Sequence, residues 1–280
     1  RAVIEALLPR RSAFTRKAAG EAVEAQVVAA NVDTVFLVSG LDGDFNLRRI
    51  ERYVTTAWSS GAAPVLVLNK TDLRTDLPDA VAAAEAVAPG VPVVTTSAIG
   101  AGGREGLAPY LAAGKTVALL GSSGVGKSTL INSLLGEERF ATAAVSDAEE
   151  GRGRHTTTSR ELVRLPGGAL LVDTPGMREL GLWADDEGLD RTFEEIERVA
   201  AECRFPDCGH EREPGCAVRA AVEAGTIDPR RYESFLKLRR ELRSLELRKD
   251  EKARRQNEKR TGRDFAARLK EVKKNKARYR

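Results

Sequence analysis

Eight consecutive residues, Gly121-Ser122-Ser123-Gly124-Val125-Gly126-Lys127-Ser128, satisfy the pattern G-x-x-x-x-G-K-[ST]. The chemistry this predicts is the cradling of a polyphosphate. Glycines let the backbone curl so that successive N–H groups converge on phosphate oxygens. A helix starting at the end of the loop adds the positive end of its dipole. In such a loop Lys127 reaches the β- and γ-phosphates and Ser128 ligates Mg²⁺, with Thr129 beside them in the same helical turn. The context fits, because the strand-like run Thr116-Val117-Ala118-Leu119-Leu120 precedes the loop and a helix-like run, 128–135, follows it.

Three further segments complete a nucleotide site, two of them indicating which base accompanies the phosphates. Asn69-Lys70-Thr71-Asp72 follows the apolar run 64–68 and reads N-K-x-D. The Asp72 carboxylate can accept two hydrogen bonds, from N1–H and N2–H₂ of guanine. Adenine would leave it unpaired, at a cost of roughly 1–3 kcal/mol or more. Asn69 and Lys70 are expected to hold the loop and cover the base. Ser97-Ala98 ends the run 91–96, where a backbone N–H can donate to guanine O6. Asp173-Thr174-Pro175-Gly176 ends the run 169–172, with Asp173 expected near Mg²⁺ and the Gly176 N–H near the γ-phosphate. Each short match is weak alone. Four of them, each at the C-terminal end of a predicted strand, are strong, because ligands of open α/β sheets bind there.

The elements that must position these loops alternate, strand then helix, which predicts an α/β domain with a mostly parallel sheet. Strands are expected around 35–38, 64–69, 91–96 and 116–120, and helices over 46–59 and 128–135. A hairpin over 161–173 is expected to turn at Pro166-Gly167-Gly168. The order of the motifs is unusual. A Ras-like GTPase places its phosphate loop first, whereas here N-K-x-D and Ser97-Ala98 precede it. That order is a circular permutation, which close-lying domain termini tolerate. Residues 99–114, with five glycines, are the expected joining linker.

A second constellation lies downstream. Cys203-x₄-Cys208-x-His210-x₅-Cys216 gathers all three cysteines and one of the two histidines into fourteen residues. Three thiolates and an imidazole make a closed tetrahedral Zn²⁺ set with no open position, hence a structural one. An odd cysteine number and no visible signal peptide point to a reducing, cytoplasmic setting. No run of eighteen apolar residues suggests a membrane span.

Charge is unevenly spread. The chain carries a net +4, yet residues 237–280 hold 19 Lys/Arg against 7 Asp/Glu. The body is therefore acidic and the tail basic, as expected of a tail that meets a polyanion. Apolar spacing at Tyr232, Phe235, Leu238, Leu242 and Leu245 predicts a helix capped by Asp228, with Pro229 in its first turn.

The permuted motifs, the segment Gly151-Arg152-Gly153-Arg154-His155-Thr156-Thr157-Thr158 and the Cys₃His knuckle together resemble the bacterial small ribosomal subunit biogenesis GTPases, the RsgA/YjeQ family, over about residues 31–247. The resemblance implies a GTPase acting late in maturation of the 30S subunit, stimulated by that subunit, with GTP or GDP, Mg²⁺ and one Zn²⁺. It implies 16S rRNA as a partner, a monomer and a cytoplasmic site of action. It also implies an N-terminal OB-fold, and the thirty or so residues before the first predicted strand are too few for one. The expected layout is a connector or OB remnant over 1–25, the permuted GTPase domain over 26–182, and a mostly helical zinc-binding domain with its basic tail over 183–280.

One feature departs from Ras-type enzymes. The residue after D-x-x-G is Met177, where a water-orienting Gln stands in that class. His155 is the candidate for that task, with Arg152 and Arg154 as weaker candidates for stabilising charge. The resemblance selects Thr157 as the second Mg²⁺ ligand. Two other classes remain open at this level: a nucleotide-dependent ribosome-binding switch with negligible turnover, and an ATPase or kinase with a coincidental N-K-x-D.

Overall fold

A computed structural model describes residues 4–6, 8–17, 25–97, 104–140, 161–173 and 185–248. Six strands form one sheet: β3 (Thr34–Gly40), β4 (Ala63–Asn69), β5 (Val93–Thr96), β6 (Thr116–Leu120), β7 (Glu161–Arg164) and β8 (Leu170–Asp173), in the order β5-β4-β3-β6-β8-β7. Neighbours pair in parallel except β7 and β8, which form the antiparallel hairpin expected around Pro166-Gly167-Gly168. Before the sheet, β1 (Ala13–Lys17) and β2 (Ala25–Ala30) make a separate antiparallel pair.

The alternation of side chains sorts the core into two layers. Val35, Leu37, Leu66, Leu68, Ala118 and Leu120 face helices α1 (Leu47–Ser60) and α2 (Leu77–Val87). Phe36, Val38, Val65, Val67, Val117 and Leu119 face α3 (Lys127–Leu135). Both faces are covered, so β3 is buried at every position and reads in sequence as a continuous apolar run.

Two segments are more ordered than their composition suggests. Phe14 of β1 is 1% exposed and packs in the same layer as α1. Within the expected linker, residues 105–110 form a 3₁₀ turn that buries Leu107 and sets Tyr110 edge-on to Phe36.

Downstream lie α4 (Asp186–Thr192), α5 (Glu194–Ala200), α6 (Ala217–Glu223) and a long helix over 229–248, here α7. Asp228 caps α7 as expected, accepting the amides of Arg230 and Arg231. Their apolar faces share one cluster, Leu189, Phe193, Ile196, Val218, Phe235, Leu238 and Leu242 among them.

That unit is bolted to α1. Glu51 of α1 is fully buried, and its carboxylate accepts from Arg231 Nη1 at 3.1 Å, from Ser234 Oγ and from Arg48. Arg231 also donates to Val87 O at 3.0 Å and Thr192 O at 2.6 Å, and its guanidinium lies over the Phe193 ring. Arg52 and Glu241 meet in a bidentate pair at 2.8 Å. At Gly188 in α4, a Cβ would stand 2.0 Å from Ser59 Oγ, so only glycine permits this helix approach.

Candidate nucleotide site and metal cluster

The sheet topology brings the predicted loops to one edge. The phosphate loop joins β6 to α3, Asn69 ends β4, Thr96-Ser97 ends β5 and Asp173 ends β8. Gly121 and Gly126 are required by their surroundings. A Cβ on Gly121 would meet Val38 O at 2.4 Å, and Gly126 adopts φ 95° with Asn69 Nδ2 only 2.3 Å from a would-be Cβ. The loop turns, Ser123 and Gly124, are exposed, while Val125 anchors in the core. Lys127 is nearly buried, and its Nζ donates to Gly121 O at 2.7 Å and to Ser122 O. Ser128 and Thr129 follow in the first turn of α3.

The N-K-x-D segment is wired to this loop. Buried Asn69 donates from Nδ2 to Val125 O at 2.8 Å and accepts from Thr96 Oγ1 at 3.0 Å. It therefore ties the ends of β4 and β5 to the phosphate loop. Lys70 takes the left-handed conformation, φ 65°, and opens the short turn Thr71–Leu73 that carries Asp72. Asp72 is exposed, and Ser97 Oγ donates to its Oδ1 at 2.6 Å. A carboxylate so oriented still has acceptor positions to offer a base edge.

A group that sequence reasoning missed borders the same site. In the connection from β3 to α1, Asp42 accepts from Lys70, and Asp44 accepts from Ser122 Oγ and pairs with Arg49. Burial would raise the Asp42 carboxyl, but the Lys70 hydrogen bond and the Asp44 amide outweigh it and hold the group below the usual range. A topological signal was available. The end of β3 lies between the ends of β4 and β6, so the loop after it must touch both motifs.

Ala98, His155, Thr157 and Gly176 lie outside the described residues, as do Arg152, Arg154, Met177, the Asp173 side chain and the tail beyond 248.

The four predicted metal ligands converge. Their donor atoms lie within 4.8 Å of one another. Cys203 Sγ and Cys216 Sγ each stand 3.6 Å from His210 Nδ1, and 4.0 Å from each other. A tetrahedral zinc ion places sulfurs about 3.8 Å apart and a sulfur about 3.6 Å from a ligating nitrogen. The donor set therefore fits such an ion, with Nδ1 as the ligating nitrogen.

The surroundings suit thiolates and a neutral imidazole. Burial pushes the Cys208 thiol up to about 11, an effect a bound cation would offset. For Cys203, burial is outweighed by backbone amides of Val218 and Ala217 in the first turn of α6, which lower it. Burial and the Arg239 charge keep His210 below its ordinary value, in the form a metal takes. Around the ligands, Glu213 accepts backbone N–H bonds from Arg212, Gly209 and Glu211, which draws its carboxyl down to about 2. Tyr232 of α7 donates to His210 O at 2.5 Å.

Strand order, loop placement and the N-K-x-D geometry define a circularly permuted phosphate-loop GTPase fold followed by a Cys₃His unit. The profile of the RsgA GTPase family matches residues 7–183, and the chain belongs to that family. It is 61% identical over 239 residues to the small ribosomal subunit biogenesis GTPase RsgA of Opitutus terrae, covering 85% of this chain and 65% of that protein. The chain thus spans about two thirds of that relative's length. Among solved structures, YjeQ from Thermotoga maritima superposes with TM-score 0.62 at 33% identity, over 85% of this chain and 77% of that one. YloQ, titled a circularly permuted GTPase, shares the fold with TM-score 0.57 at 23% identity, over 86% of this chain and 83% of that one. Among the described residues, no helix is long and apolar enough to cross a membrane.

Proposed function

We propose that this chain binds and hydrolyses GTP and acts in late maturation of the small (30S) ribosomal subunit, which stimulates its turnover. The observation that supports the reading is the Asn69–Val125 bond, with Ser97 on Asp72, by which the N-K-x-D segment and the phosphate loop share one edge of the sheet. The relatives' names support the ribosomal assignment. In this reading 1–25 is a connector or OB remnant, 26–182 the GTPase domain and 183–280 the zinc-binding domain with its basic tail.

Asn69, Lys70, Asp72, Ser97 and Ala98 hold guanine. The loop Gly121–Ser128, Thr129 and Gly176 hold the phosphates. Ser128 and Thr157, with Asp173 behind them, hold Mg²⁺, which would neutralise phosphate charge. His155 orients the attacking water. Cys203, Cys208, His210 and Cys216 hold one structural Zn²⁺. The protein acts as a cytoplasmic monomer on 16S rRNA within the subunit.

The test is GTP turnover with and without purified small subunits. We expect stimulation, and His155→Ala should keep GTP affinity but lower stimulated turnover about 10²-fold. Subunit-independent turnover would sink the reading. Nucleotide-dependent subunit binding without turnover would make the protein a switch instead. Base choice is tested separately. Asp72→Asn should weaken GTP by about 10- to 100-fold, the worth of roughly 1–3 kcal/mol, and gain xanthosine nucleotides. GTP affinity equal to wild type in that variant would remove the guanine assignment.

A further inference from the structure

We propose that Asp42 and Asp44, in the β3–α1 connection, are positioning residues of the nucleotide site, Asp44 for its phosphate half and Asp42 for its base half. The inference rests on the guanine-nucleotide reading and adds to it residues that no motif contains.

The phosphate half is a closed ring of three side chains. Ser122, the second residue of the phosphate loop, donates from Oγ to Asp44 Oδ2. Arg49 Nη1 donates to that hydroxyl at 2.9 Å and also pairs with Asp44 Oδ1. The ring fixes the Ser122 side chain and with it the peptide that follows. That peptide's carbonyl receives Lys127 Nζ. Asp44 therefore acts through Ser122 on the loop and on its lysine. A loop already set in its binding shape loses less freedom when ligand arrives.

The base half uses the other carboxylate. Asp42 Oδ2 holds the Lys70 ammonium, and Asp42 Oδ1 accepts the Asp44 amide at 3.0 Å. The two halves are thus joined through one backbone group. Lys70 sits in the left-handed region, which a non-glycine residue adopts only when held. It opens the turn that carries Asp72. Anchoring Lys70 thereby helps fix the carboxylate that reads the base.

Two acids beside a phosphate site invite the opposite expectation. If they were incidental, removing their charge would free Arg49 and Lys70 and strengthen binding of an anion. Positioning predicts weaker binding, so the sign of the effect decides.

The experiment measures GDP and ADP affinities by calorimetry for the full chain and for Asp44→Asn, Ser122→Ala, Asp42→Asn and the Asp44→Asn/Ser122→Ala pair. Asp44→Asn should weaken GDP about tenfold and leave the GDP-over-ADP ratio unchanged. Ser122→Ala should act in the same direction, and the pair should cost no more than the larger single change, because both break one ring. Asp42→Asn should instead narrow the GDP-over-ADP ratio about tenfold. Ser122→Ala serves if an acid variant fails to fold, since it removes only a hydroxyl. Equal or tighter GDP binding by Asp44→Asn and Ser122→Ala, in a protein that still prefers GDP to ADP, overturns the proposal alone. A wild type that does not prefer GDP overturns the guanine reading with it.

Discussion

Cys208→Ser should give a protein without bound zinc in which residues 203–224 lose protection from amide exchange while the six-stranded sheet keeps its own. The knuckle from Cys203 to Cys216 contains no helix or strand, so its shape depends on what joins the four donors. Structural zinc contributes about 10–16 kcal/mol of apparent binding free energy in small zinc domains, and that energy is folding energy. Losing one of four ligands forfeits much of it. Helix α6 goes with the knuckle because Cys216 is its N-cap, its sulfur accepting from Arg219 N. Helix α7 survives in part, held by Phe235 and by Arg231 on Glu51. Elemental analysis of the wild type should return one zinc per chain. A metal-free wild type, or a variant that keeps stoichiometric zinc, defeats the assignment.

Arg231→Ala should cost up to about 3–5 kcal/mol of stability, the penalty for removing one partner of a buried ion pair. Glu51 has no solvent exposure, and Ser234 and half-exposed Arg48 are the partners left to it. The carbonyls of Val87 and Thr192 lose their donors in the same change. Replacing both charges, Glu51→Leu with Arg231→Leu, should recover part of the loss, since the fully buried charge is then gone and the partners left behind, Arg48 and Glu195, are both partly exposed. Urea denaturation of the three variants measures both effects. A loss under about 1 kcal/mol in the single variant would place the pair among surface bridges.

What could be read from sequence depended on how local the signal was. Strands β3, β4 and β6 were legible because burial on both faces makes them near-continuous apolar runs, and β4 and β6 lead straight into motif residues. The hairpin at Pro166-Gly167-Gly168 and the cap at Asp228 were legible from turn chemistry a few residues long. β1 and β2 were not, since AFTRK and AQVVAA alternate weakly and Phe14 finds its core through α1. Leu107 was assigned to a linker on the strength of neighbouring glycines. Glu51 reads as one more charge on an arginine-rich helix, and its partner is 180 positions away. Asp42 and Asp44 read as turn residues, because only the sheet order places them against Lys70 and Ser122.

The distance between Glu51 and Arg231 also has a meaning in time. A ribosome adding about 5–20 residues per second needs roughly 10–40 s to travel from one to the other. During that interval α1 can already lie on the sheet with its second face bare. That face carries Glu51, Arg52, Thr55 and Ser59 where an apolar stripe would be tackier. Polar groups keep a waiting surface wetted and discourage premature association between nascent chains. They become a specific lock once Arg231 and Ser234 emerge. A fragment ending at residue 183, where the family profile ends, would remain in the waiting state.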